Sequence, residues 1–169
     1  MRATHSFTLV LSLLTLVAQV AAAQVSDPLE AQLIKSMQLN RKEHLRMEEP
    51  GVAIRAYINS GHVSAKPNSR QDYTDYRILK RPARLFGQLI VVLEEEYLKR
   101  FVGCCVSPGI GAILQVDADQ AALKNFASSN GCLIDSSRNV VERLRQLGLK
   151  PQAHSYVSLS CRERDIPIH

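Results

Sequence analysis

Four cysteines, Cys104, Cys105, Cys132 and Cys161, all fall in the second half of the chain, and they constrain its fold more than any other feature. Their chemistry depends on where the chain goes. Arg2 and His5 precede an apolar run from Phe7 to Val17, and Ala21-Ala22-Ala23 offers the small side chains that suit cleavage before Gln24. Residues 1–23 are therefore expected to be a signal peptide, giving a periplasmic or secreted protein. No canonical Asn-x-Ser/Thr acceptor occurs, which is compatible with a bacterial envelope and favours the periplasm. The apolar run is shorter than the roughly 20 residues a permanent anchor needs, and no later stretch replaces it, so the chain is not expected to span a membrane.

In an oxidising compartment four cysteines favour two disulfides, for which three pairings exist. Phe101 to Val106 reads as a strand, in which neighbouring side chains point to opposite faces. Cys104 and Cys105 are then expected to reach different partners among Cys132 and Cys161, because adjacent residues rarely satisfy disulfide geometry across a trans peptide. Loops of roughly 27 and 57 residues closed in this way stabilise a small domain by a few kcal/mol each. A bond between Cys104 and Cys105 would undo both that topology and the preference for a passive scaffold. The other reading of these thiols is redox or soft-metal chemistry at Cys104-Cys105, weakened by the lack of a Cys-x-x-Cys helix start and of convergent histidine or methionine ligands.

Removing 23 of the 169 residues leaves 146, enough for one domain with a core. Hydrophobic content of 46% and charged content of 22% exclude a disordered, collagen-like or long coiled-coil chain. Residues 24–58 read as an N-terminal helical arm: Asp27 caps, Pro28 suits the first turn, Glu30 completes a capping box, and Pro50-Gly51 ends one long helix. Val52 to Ile58 alternates like a strand, although a second helix fits nearly as well. Residues 59–72 are polar, with Gly61 and Pro67, and read as a linker loop. Residues 73–169 form the expected disulfide-stapled α+β domain.

Within that domain Tyr76 to Leu79, Leu89 to Leu93, Phe101 to Val106, Ala112 to Val116 and Ser155 to Cys161 read as strands. Ser107 to Gly111 reads as the turn of a hairpin joining the third and fourth. Asp117 or Asp119 caps a helix that ends near Asn130-Gly131, and Ser136 or Ser137 caps another that stops at Gly148. This order predicts an α+β fold with a mainly antiparallel sheet, helices on one face and an N-terminal helical arm.

Glu94-Glu95-Glu96 is the densest acidic run, and Glu94 or Glu96 with a histidine such as His154 would suit a small hydrolase. The same run also reads as a solvated strand end or a helical turn with Glu95–Lys99 and Glu96–Arg100 pairs, the favoured expectation. Ser107-Pro108-Gly109-Ile110-Gly111 lacks the frame of a phosphate loop, and neither Gly-x-Ser-x-Gly nor HExxH occurs. No residue set calls for a cofactor or a metal. Lys80, Arg81 and Arg84, with Tyr73 and Tyr76 beside them, make Tyr73 to Arg84 the preferred contact segment. Arg138, Arg143, Arg145 and Lys150 line the last helix. With a net charge of +5 and an exported address, the expected partner is another envelope protein or an anionic surface, not nucleic acid. The sequence thus favours a non-catalytic binding or interaction protein, such as an inhibitor, an immunity protein or an assembly accessory.

Overall fold

The computed structural model describes residues 27–98, 102, 104–117, 119–152 and 155–167. The leader and His154 lie outside them. In chain order the elements are α1 (Pro28–Met37), β1 (Leu39–Asn40), β2 (Leu45–Arg46), α2 (Pro50–Asn59), β3 (Ser69–Gln71), β4 (Thr74–Ile78), β5 (Arg84–Leu85), β6 (Gln88–Glu96), β7 (Gly109–Val116), α3 (Ala121–Ser129), β8 (Leu133–Asp135), α4 (Arg138–Gln146) and β9 (Ser155–Arg162), closed by a 3-10 turn at Glu163–Asp165. β1 and β2 form a separate small hairpin. The main sheet has the order β3-β4-β6-β7-β9-β8, with β5 also paired to β6, and every pairing is antiparallel. The α+β class and the antiparallel sheet agree with the expectation.

The N-terminal segment is helical, but not as one rod. Asp27 caps α1 by accepting the Leu29 N–H at 2.9 Å, whereas Glu30 accepts the Phe86 N–H at 2.7 Å instead of closing a capping box. The helix stops at Met37, and the polar stretch after it turns back through His44, whose φ is 54°, to make β1 and β2. Glu48 then grips α1 through Gln32, Lys35 and Ser36. Pro50, expected to end a helix, begins α2 at a position that needs no N–H donor. Val52 to Ile58 is helix, not strand, and the expected linker carries β3.

Alternation along the strands sorts the core into two layers. Ile110, Ala112 and Leu114 of β7 join Val157, Leu159 and Cys161 of β9 on one face, under Leu33 and Met37 of α1, Ala53, Ile54 and Tyr57 of α2, and Leu123 and Ala127 of α3. Ile113 of β7 points the other way, packing with Val92, Tyr76 and Val140 and Leu144 of α4. Three helices therefore share one face, and α4 lies across the opposite one.

The disulfides pair differently from the expectation. Cys132 bonds Cys161, with Cα atoms 4.4 Å apart, directly beside the β8–β9 pair Leu133–Ser160. Cys104 bonds its neighbour Cys105. The reason lies in the backbone: Cys104 and Cys105 sit in a turn, flanked by a bridge between Val102 and Val106, so no strand forces their side chains to opposite faces. Among the described residues the expected hairpin of Phe101–Val106 with Ala112–Val116 is accordingly not formed. β7 begins at Gly109 and pairs with β6 and β9, so the glycines read as a turn lie in a central strand. The sheet itself survives the loss of the expected cross-links, because ladder hydrogen bonds and core burial define it.

Candidate functional site

Glu94, Glu95 and Glu96 are buried at 1%, 6% and 1% exposure, which corrects the expectation of a solvated run. They belong to the extended strand β6, so their charges meet cations across the sheet rather than along a helix. Lys99 and Arg100 lie outside the described residues. Successive carboxylates alternate between faces: Glu94 and Glu96 point to the α4 side, and Glu95 to the α2 side.

On the α4 side, two register rows carry the polar groups. Tyr76, Glu94, Gly111 and Ser160 form one, and Thr74, Glu96, Gly109 and Arg162 the next. Arg162 on β9 reaches over β7 to donate from Nη2 to Glu94 Oε2 at 2.8 Å, and its Nη1 donates to Ser160 Oγ at 2.7 Å. Its Nε lies 2.9 Å from Glu96 Oε2 as an ion pair whose N–H points elsewhere. β6 and β9 are two strand spacings apart, about 10 Å, a span that Arg and Glu side chains bridge only if the strand between them is bare. Gly111 keeps it bare: a Cβ there would lie 2.9 Å from Glu94 Oε2 and 3.1 Å from the Leu159 carbonyl. At Gly109, with φ of +148°, a Cβ would lie 2.6 Å from Arg162 Cα.

The remaining valences are filled as well. Glu94 Oε1 lies 3.4 Å from Arg143 Nη1 of α4. Glu96 accepts the Ser107 N–H at 2.8 Å and pairs with Arg164 Nη1 at 3.1 Å. Asp165 accepts from Ser160 Oγ and from the Arg162 N–H. Burial works against the Arg162 charge, but the carboxylates, led by Glu94, outweigh it and hold the guanidinium above its ordinary pKa. A general acid or base needs a titratable proton facing substrate; here both glutamates face arginines. No histidine among the described residues hydrogen-bonds to either.

On the α2 side, Arg77 bridges Asp75 at 3.3 Å and Glu95 at 3.6 Å, and Arg70 forks onto Asp75 while donating to the Tyr97 hydroxyl at 2.6 Å. Burial raises the Glu95 pKa, with Arg77 acting against it. Glu95 also lines a cleft of about 450 Å³ between the β1–β2 hairpin, the start of α2 and the ends of β6 and β7. Its walls include Leu45, Pro50, Tyr97, Val102 and Pro108, with Glu48, Glu49, Glu95 and Glu163 set against Arg46 and Arg55. Leu45 (47%), Met47 (47%) and Val102 (48%) are exposed at or beside its rim.

Arg46 holds the hairpin side of this cleft, and sequence reasoning missed it. Its guanidinium donates to the carbonyls of Met37, Asn130, Gly131 and Arg162, tying β2 to α1, to the end of α3 and to β9. Nothing local in the sequence marks it, since its four acceptors are backbone atoms of distant segments.

The expected contact segment is divided. Tyr73 is exposed beside the register row of Thr74 and Glu96, at the end of the sheet where Tyr97 lines the cleft. Tyr76 is buried beneath α4, so no contact surface runs through it, and burial raises its pKa. Lys80 and Arg81 lie at the other end, where with Lys150, Leu144 and Tyr156 they line a second cleft of about 350 Å³. Arg84 is exposed and donates to the Gly87 carbonyl. Among the described residues no three His, Cys, Asp or Glu side chains converge to hold a metal ion. No protein-family model, curated protein or solved structure matches the chain.

Proposed function

We propose that this chain is an exported, non-catalytic interaction protein of the bacterial envelope, and that its contact surface is the cleft between the β1–β2 hairpin and the ends of β6 and β7. The observation that carries the reading is that Leu45 and Val102, which line that cleft, are exposed apolar side chains, with exposed Met47 next in the chain to the lining residues Arg46 and Glu48. Large apolar side chains grouped at one concavity favour association, whereas scattered ones need no explanation. Because Cys104 bonds Cys105, no pair of long-range staples supports a passive scaffold; the support comes instead from Glu94 and Glu96 facing arginines and from this rim.

Within the lining Glu48 is held by Lys35 and Gln32, Glu95 pairs with Arg77, and Arg46 is committed to backbone carbonyls, so the apolar rim rather than an excess of charge sets what the cleft takes. The occupant it fits is an apolar segment of another envelope protein. No helix among the described residues is long and apolar enough to cross a membrane. A second reading, an anionic surface at the opposite cleft, is favoured by the Lys80, Arg81 and Lys150 rim.

Photo-crosslinking decides between them. A crosslinker at position 45 or 102 should capture one discrete partner from envelope extract, and Leu45→Asp should abolish capture while Lys80→Glu leaves it intact. Loss with Lys80→Glu alone would move the site to the second cleft, and capture insensitive to both changes would defeat the proposal.

A further inference from the structure

The two disulfides differ in everything that governs thiol–disulfide exchange. Cys132 and Cys161 are 8% and 0% exposed, sit in the core layer beneath α3, and close a separation of 29 residues. Cys104 and Cys105 are both exposed, adjacent in sequence, and held in a turn that contributes neither residue to a core cluster. A bond between neighbours removes almost no chain entropy from the unfolded state, so it is not a staple. The buried bond is one.

The turn is pinned on its C-terminal side. Val106 is buried, the Ser107 N–H donates to Glu96 at 2.8 Å, and Ser107 Oγ accepts the Arg164 N–H at 2.7 Å. Opening the Cys104–Cys105 ring therefore leaves the start of β7 in place. Exchange proceeds by attack of a thiolate on a disulfide sulfur, and its rate depends on access to that sulfur. Only one of the two bonds offers such access.

We propose that Cys104–Cys105 is a reversible thiol–disulfide exchange site whose reductant is a dithiol. One thiolate of the dithiol attacks Cys104 or Cys105, the bond between the two cysteines breaks, and a mixed disulfide forms as the other cysteine leaves as a thiolate and takes a proton from water. The second thiolate of the reductant then attacks the mixed disulfide, and the remaining cysteine leaves as a thiolate that also takes a proton from water. The reductant departs as its own cyclic disulfide. Two electrons and two protons pass to the protein, and Cys132–Cys161 takes no part. The site stands independently of what the cleft binds.

The test uses the unreduced full chain, titrated with dithiothreitol, quenched with acid, alkylated and mapped by peptide mass spectrometry. At the lowest dithiol concentration that labels any cysteine, Cys104 and Cys105 should carry about tenfold more label than Cys132 and Cys161. The same partly reduced protein should take up one equivalent of phenylarsine oxide, which binds adjacent thiols. A Cys104→Ser/Cys105→Ser variant should take up none, keep the wild-type urea midpoint, and react with dithiol only once denatured. Label appearing first or equally at Cys132 and Cys161, Cys104 or Cys105 found bonded to either of them, or an unfolded double variant would each overturn the proposal.

Discussion

Arg162 and Glu94 meet at 2.8 Å across the width of strand β7, although 68 positions separate them in the chain. At 6% and 1% side-chain exposure, neither has water to fall back on. Replacing Arg162 by Met should therefore cost about 3–5 kcal/mol, because Glu94 and Glu96 remain buried without their shared cation. Adding Glu94→Gln to that variant should recover part of the loss. Urea unfolding of the four members of this cycle measures the coupling, and a single-variant loss below about 1 kcal/mol would contradict the arrangement.

Gly111→Ala should destabilise the chain by about 1–3 kcal/mol even though alanine is the better strand residue, since the new methyl meets Glu94 and the Leu159 carbonyl. A thermal melt of this variant beside Gly87→Ala separates crowding from backbone strain. Gly87 has φ of +79° and open space around it.

Glu95 gives the stability curve a defined slope. Burial holds its carboxyl above the usual glutamate range, so the folded chain binds that proton more tightly than the unfolded chain does. Stability therefore falls as pH rises from the ordinary glutamate value through the raised one. Glu95→Gln should flatten the urea midpoint across that window, and midpoints that decline in parallel for both proteins would assign the slope elsewhere.

Arg46→Lys keeps the charge but not the planar fork, so most of the four carbonyls it serves lose their donor. A loss of about 3 kcal/mol is expected, with faster amide exchange concentrated in β1 and β2. Uniform acceleration across the sheet would instead point to global destabilisation.

Local chemistry made several elements legible. Ser137 caps α4, Asp119 accepts the Ala121 N–H at the start of α3, and Val157, Leu159 and Cys161 face the core because alternation in a strand is a short-range property. The ambiguity at Pro50 is also local in kind: a proline that cannot continue one helix is suited to begin another, and position in the sequence does not say which. The candidate site was far less legible. Glu94 to Glu96 looked solvated because a run of like charges normally is, and the cations that neutralise it come from β4, β9, α4 and the final turn.

By itself, then, the sequence determined the α+β class, the helices and strands with strong caps or alternation, and the even set of cysteines. Tertiary structure decided that the acidic strand is buried, that Gly109 and Gly111 are gaps for a crossing ion pair rather than a turn, and which cysteines bond. The physical reason is range: caps and alternation act within a few residues, whereas desolvated charges and disulfide partners are set by strand order, and strand order is a property of the whole sheet.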